Sequence, residues 1–188
     1  MKARPKIQSF SNVVLSVKHI YKNYGLINAV SDVSFSVEKS KTIGLLGSNG
    51  AGKTTTIMML MGILKATSGE IKILEKDVYK CRNKIAKYIN FASPFVELPH
   101  RLTVLQNLKE FGHLYGVKYL DDRIHKISID LDILDLLKRR VGKLSAGQKT
   151  RVSLAKSLIN NPKILFLDEP TASLDPDNAD WIDRKSVV

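Results

Sequence analysis

Hydrophobic and polar positions change their period several times along the chain, and each change predicts an element. Val13-Val14-Leu15-Ser16-Val17 and Val33-Ser34-Phe35-Ser36-Val37 are rich in β-branched residues, and the second alternates strictly. They predict an antiparallel pair joined through Tyr21-Lys22-Asn23-Tyr24-Gly25, with Gly25 supplying the turn. Thr42-Ile43-Gly44-Leu45-Leu46 reads as a buried parallel strand, and residues 54–64, rich in Met, Ile and Leu, as a helix. A turn at Ala66-Thr67-Ser68-Gly69-Glu70 precedes a short strand at 71–74. A polar helix at 83–87 and a strand at 88–92 follow, the latter broken at Ser93-Pro94-Phe95 because proline cannot continue a ladder. From Leu102 the period becomes helical. Leu105, Leu108, Phe111 and Leu114 lie three or four apart behind Thr103 as N-cap, and Ile124, Ile127, Leu131, Leu134 and Leu137 mark a second amphipathic segment over 121–137. A helix at 149–160 ends at Asn161-Pro162, and Ile164-Leu165-Phe166-Leu167 is a second apolar run suited to a buried parallel strand. The sum is an α/β chain with two inserted helices.

Between the strand at 42–46 and its helix stands Gly47-Ser48-Asn49-Gly50-Ala51-Gly52-Lys53-Thr54-Thr55. Two glycines five apart, followed at once by Lys and Thr, make a phosphate-binding loop. Glycine lets successive N–H groups converge on the β- and γ-phosphates, and the helix beginning near Gly52 aims its positive end at them. Lys53 adds a point charge, and the Thr54 hydroxyl is suited to Mg²⁺. The apolar run at 164–167 delivers Asp168 and Glu169 at its C-terminal end, where ligands of open α/β sheets bind. Asp168 is the expected partner of Mg²⁺, and Glu169 the base that polarises the water attacking the γ-phosphate. Ser145-Ala146-Gly147-Gln148 opens another helix: either an ordinary N-cap or a second anion site, serving a different nucleotide as in a dimer. Tyr24, at a strand end, is either a packing aromatic or a ring beside the adenine.

Composition narrows the picture without redirecting it. With 44% hydrophobic and 26% charged residues, the chain suits one domain with one substantial core. No apolar run approaches the roughly 18 residues needed to cross a bilayer, and Met1-Lys2-Ala3-Arg4-Pro5-Lys6 is basic with no signal-peptide core behind it, which predicts a soluble chain that stays inside the cell. Cys81 is the only cysteine and excludes an intrachain disulfide. The net charge of +12 comes from lysines spread along the chain, without aromatic interleaving, so no dedicated nucleic-acid site is predicted.

Taken together, the loop, the stretch Leu144-Ser145-Ala146-Gly147-Gln148 followed by Arg151, and Leu167-Asp168-Glu169-Pro170-Thr171-Ala172-Ser173-Leu174-Asp175 resemble the ATPase subunit of ATP-binding cassette (ABC) transporters over about residues 12–182. The resemblance implies a P-loop NTPase core with a mainly parallel sheet, an N-terminal antiparallel β subdomain and an inserted α-helical subdomain at about 97–143, all in one domain over 1–188. It implies ATP and Mg²⁺ as cofactors, with Tyr24 stacking on the base and the loop 47–55 on the phosphates. Ser145 and Gly147, with Gln148 beside them, would bind the γ-phosphate held by the opposite subunit, as homodimer or paired ABC subunit. Thr54 and Asp168 would serve the metal and Glu169 the catalysis, with 173–175 at the dimer interface. The helical insert is similar to the subdomain that meets a transmembrane permease. Leu102-Thr103-Val104, Asn107-Leu108 and Tyr115-Gly116-Val117 are most similar to exporter-type cassettes, peripheral on the cytoplasmic face of the cell membrane.

The chain also departs from the family pattern. The family's glutamine after the strand near Ala92 is replaced by Ser93 or Pro94, Ala146 stands where glycine is usual, and Ser40 stands at a usual turn glycine. A further core strand and a switch histidine are expected about thirty residues beyond Glu169, and neither lies within the 188 residues. The expectation is therefore a C-terminally truncated cassette that binds nucleotide, hydrolyses it slowly and is poorly soluble. Two other readings are a cassette acting on nucleic acid or ribosomes, and a remnant with little or no hydrolysis.

Overall fold

The computed structural model describes residues 12–93 and 98–168. Expectations for residues 1–11, for Pro94 and Phe95, for position 97, and for Glu169 with the run 170–175 lie outside those residues.

β1 (Val13–Tyr24) and β2 (Ile27–Glu38) form a hairpin whose strands run well past the expected alternating cores. Tyr24 pairs with Ile27 across Gly25-Leu26, and Gly25 takes φ +58°, the left-handed value a two-residue hairpin asks of its first turn residue. The ladder is irregular at His19 and Asp32. Both take φ +47°, and the His19 Nδ1 and Asp32 Oδ1 atoms meet at 2.7 Å across the strands. β3 (Ser68–Ile73) pairs antiparallel with β1, and β4 (Lys76–Asp77) with β3, giving a four-stranded sheet in the order β2-β1-β3-β4. Gly69 is needed in β3 because it takes φ +98° and a Cβ there would strike the His19 carbonyl.

α1 (Lys53–Leu60) follows the glycine-rich loop, and α2 (Arg82–Ile85) leads through a 3₁₀ turn at Ala86–Tyr88 into β5 (Ile89–Ala92). α3 (Val104–Leu114) starts at the expected N-cap. Thr103 accepts from the Gln106 N–H at 3.1 Å, while Gln106 Oε1 accepts from the Thr103 N–H at 2.8 Å, closing a reciprocal capping box. α4 (Leu120–Asp130) stops short of 137, the rest being a 3₁₀ turn at Leu134–Leu136. α5 (Ala146–Leu158) leads to β6 (Ile164–Leu167), which pairs with β5 in parallel, Ile89 opposite Ile164 and Ala92 opposite Leu167.

β5 and β6 divide two hydrophobic cores. Leu165 and Leu167 pack on a helical core holding Leu108, Ile124, Leu131, Ile133, Val152 and Ile159. Ile164 and Phe166 point the other way, into the core formed by the antiparallel sheet and α1 with Leu15, Ile20, Ile57, Met59 and Ile71. A strand covered on both faces has no polar side to show, which is why 164–167 is apolar without alternation.

The expected parallel strand at 42–46 is corrected. Residues 41–48 form no ladder among the described residues, with Leu46 96% and Ile43 46% exposed. An apolar, β-prone run becomes a strand only when a neighbouring strand takes its N–H and C=O groups, and none of the described strands pairs with it.

Candidate nucleotide and metal site

The glycine-rich loop is built around positions only glycine can fill. Gly50 and Gly52 take φ +84° and +83°, and a Cβ on Gly52 would collide with the Ala29 carbonyl oxygen of β2. The loop is thereby pressed against the antiparallel sheet, and the start of α1 is fixed. Gly52 is also the N-cap and has no side chain to cap with, and the first turn of α1 carries no acidic residue. The leading N–H groups of this helix are left for an outside anion. Gly52→Ala should lower the unfolding midpoint by roughly 2–8 °C from the backbone strain alone. It should also abolish ATP binding, as read by differential scanning calorimetry with and without ATP.

Lys53 folds back over the loop, its Nζ donating to the Gly47 and Ser48 carbonyls at 2.7 and 2.9 Å. Its charge is held on the loop. Thr54 Oγ1 donates to Asp168 Oδ2 at 3.2 Å across 114 residues of sequence. Period-two geometry explains this meeting. Asp168 follows β6 on the same face as Phe166, which packs into the core that α1 helps to build, so its carboxylate comes out at the first turn of that helix. Asp168 is only 6% exposed, and the Asp168 N–H is tied to the Ala92 carbonyl at 3.0 Å. A buried carboxylate whose described side-chain partner is a single hydroxyl is a hard-oxygen pair of the kind Mg²⁺ takes, with phosphate oxygens and water completing its shell. The residues present therefore fit the metal.

The other expected site residues are placed but not all joined. Tyr24 lies at the tip of the hairpin, 50% exposed, with Lys22 Nζ 5.0 Å from its ring centre. Ser145 is realised as an N-cap: its Oγ accepts from the Gln148 N–H at 3.3 Å, and Gln148 Oε1 accepts from the Ser145 N–H at 3.1 Å. The N-termini of α1 and α5 thus differ, one open and one already capped. Gly147 has open space where a Cβ would stand. Arg151 donates from Nη1 to both the carbonyl and the carboxylate of Asp132 at 2.8 Å, fastening α5 to the end of α4. Glu169 lies outside the described residues. Lys156, which the charge pattern places among the lysines spread along a solvated surface, is instead one of the few charged side chains buried in the described structure. Its signal was available: it falls on the Val152, Ala155, Ile159 stripe of α5.

Comparison with known proteins shows the family and the fold. The family model described as ABC transporter matches residues 30–172. The chain is 36% identical over 165 residues to the probable multidrug ABC transporter ATP-binding protein YbhF of Escherichia coli K12, covering 87% of this chain and 28% of the relative. It is 37% identical to the ABC transporter ATP-binding protein NatA of Bacillus subtilis, over 80% of this chain and 62% of that protein. It is 35% identical to the bacitracin transport ATP-binding protein BcrA of Bacillus licheniformis, over 88% and 54%. The chain thus spans from about a quarter to under two thirds of the length of these relatives. Among solved structures it superposes on cbiO1 from Clostridium perfringens, part of the ABC transporter complex cbiONQ, with a TM-score of 0.81 at 31% identity, covering 94% of this chain and 73% of that one. The ADP conformation of the cassette MJ1267 gives a TM-score of 0.82 at 28% identity, over 93% and 76%. With the phosphate loop, the Thr54–Asp168 pair and the helix opening at Ser145 in place on this fold, the chain belongs to the ABC transporter family, whose ATP-binding cassette it carries.

Proposed function

We propose that the chain binds Mg·ATP at the 47–55 loop and hydrolyses it to drive export through a separate transmembrane permease, working as a paired subunit on the cytoplasmic face of the membrane. The observation that carries the site is the Thr54–Asp168 contact, which joins the phosphate loop to the acidic strand end. The glycines let backbone N–H groups approach the phosphates, and the Lys53 ammonium and the open start of α1 neutralise them. Thr54 and Asp168 would hold Mg²⁺, which would supply charge neutralisation at the phosphates. Glu169, next in sequence to Asp168, takes the proton of the attacking water, and Tyr24 stacks on the base. Ser145, Gly147 and Gln148 face the γ-phosphate of the paired subunit. The helical subdomain at about 97–143 faces the permease.

Support for export comes from relatives named for multidrug and bacitracin transport, and for a membrane partner from cbiO1, part of the cbiONQ transporter complex. No helix among the described residues is long and apolar enough to cross a membrane. The test is Asp168→Asn. Wild-type affinity for ATP should rise with added Mg²⁺, and the variant should lose about tenfold of that Mg²⁺-dependent gain while keeping its fold. Equal Mg²⁺ dependence in both proteins would remove Asp168 from the site.

A further inference from the structure

The sequence spreads its cations, but the fold gathers some of them. Distant chain segments meet at the start of α3, where the Val141 N–H donates to the Leu102 carbonyl, the Gly142 N–H to the His100 carbonyl and the Val104 N–H to the Arg139 carbonyl, each at 3.0 Å. Thr103 stands opposite Arg140 in an isolated antiparallel bridge. Arg101 is thereby brought beside Lys138, Arg139, Arg140 and Lys143, and all of these side chains are exposed. The bonds that join the segments run through the main chain, so the fold does not use the charged ends.

Nearby helices neutralise their charges. Lys109 Nζ meets Asp121 Oδ1 at 2.9 Å, and Arg151 Nη1 meets Asp132 Oδ2 at 2.8 Å. The side chains of the gathered cations have no ion-pair partner among the described residues. The cause is in the sequence, since no Asp or Glu stands within 98–109 or within 136–167. α3 opens inside the cluster with no acid in its first turn, so its positive end adds to the same field. One such cation alone is an ordinary solvated side chain, but a surface of a single sign attracts a surface of the other.

We propose that this basic surface, Arg101 with Lys138, Arg139, Arg140 and Lys143, rests on the anionic lipid headgroups of the membrane leaflet. The inference rests on the proposed function, which turns the segment at about 97–143 towards a membrane partner and so carries the cluster to the headgroups. Three of its members are arginines, whose planar forks pair with phosphate oxygens two at a time. The side chains lie exposed rather than closed around one space, which suits many headgroups better than one soluble anion. Single-stranded nucleic acid is disfavoured because no Phe, Tyr or Trp stands within 98–109 or 136–144 to stack on a base. The same lack of an aromatic or apolar wedge makes the contact electrostatic, held at the surface and weakened by salt. Such contacts steady the orientation of the cassette against the bilayer without inserting into it.

The test is flotation of the purified chain, without nucleotide, on vesicles of phosphatidylcholine alone and on an equal mixture of phosphatidylcholine and phosphatidylglycerol. Wild type should float with the mixed vesicles only, and added sodium chloride should release it. Combining Arg101→Gln, Arg139→Gln and Arg140→Gln should weaken binding roughly 100-fold, about fivefold for each cation removed. Lys39→Gln, Lys65→Gln and Lys76→Gln together remove the same charge from exposed positions outside the cluster and should cost far less. Should the first combination not fold, Arg139→Glu alone decides, with a loss of roughly 25-fold expected from reversing one charge. A wild type that stays unbound, that floats on phosphatidylcholine alone, or that loses as much by the second combination as by the first overturns the proposal. So does release by inorganic phosphate at an ionic strength where sodium chloride has no effect, which would make the cluster a soluble-anion site. Duplex DNA captured more tightly than the mixed vesicles, and through the same arginines, would make it a nucleic-acid surface and also overturns the proposal. Calorimetric titration with ATP keeps the two readings apart: lost flotation with ATP binding intact ends this inference alone, and lost ATP binding with flotation intact ends the nucleotide site alone.

Discussion

Glu169→Gln is expected to slow phosphate release by roughly 10²- to 10⁴-fold while leaving ATP bound, the loss typical of removing a positioned general base. The amide keeps the size and most of the hydrogen bonding of the carboxylate but cannot take a proton from water. Binding should persist because the proposed holders of the phosphates lie elsewhere: the loop, Lys53 and the open N-terminus of α1. Radiolabelled ATP retained by the variant, set against phosphate released over time, separates the two effects. A variant that turns over ATP as fast as wild type would dismiss Glu169 from the chemistry. One that no longer binds ATP would give it a structural role.

Lys53→Ala should weaken Mg·ATP by roughly 10- to 100-fold, the value of a charge-assisted hydrogen bond to phosphate. The alanine also removes the two bonds from Nζ to the Gly47 and Ser48 carbonyls. Part of the loss therefore comes from a loop less well held. Lys53→Arg separates these parts: it restores a cation, but its planar fork does not fit where a compact ammonium reaches two carbonyls 2.7 and 2.9 Å away. Calorimetric titration of the three proteins should rank wild type first, arginine second and alanine last. Equal affinities in wild type and alanine would end the assignment of this loop.

The parts of this molecule that sequence foretold are those governed by local rules. Thr103 is expected as an N-cap and Ser145 as either an N-cap or an anion site, and both cap their helices, each closing a box with the glutamine three residues on, Gln106 or Gln148. The run at 164–167 announced a strand covered on both faces, and with it the place of Asp168. What escaped depends on distant neighbours. Residues 42–46 have the composition of a strand but lack one among the described residues. The two-residue β4 exists only because Lys76 and Asp77 fall beside β3. The positive φ of His19 and Asp32, with the contact between them, interrupts the register of a hairpin built of two twelve-residue strands.

The most direct measurement of the central claim is a calorimetric titration of the purified chain with ATP, with AMP, and with ATP after magnesium is removed by EDTA. An ATP site made of this loop and the Thr54–Asp168 pair predicts saturable binding of ATP, weaker binding without the metal, and none of comparable strength for AMP, which lacks the β- and γ-phosphates the loop is shaped to hold. Equal affinity for AMP and ATP, or ATP affinity indifferent to magnesium, would contradict it.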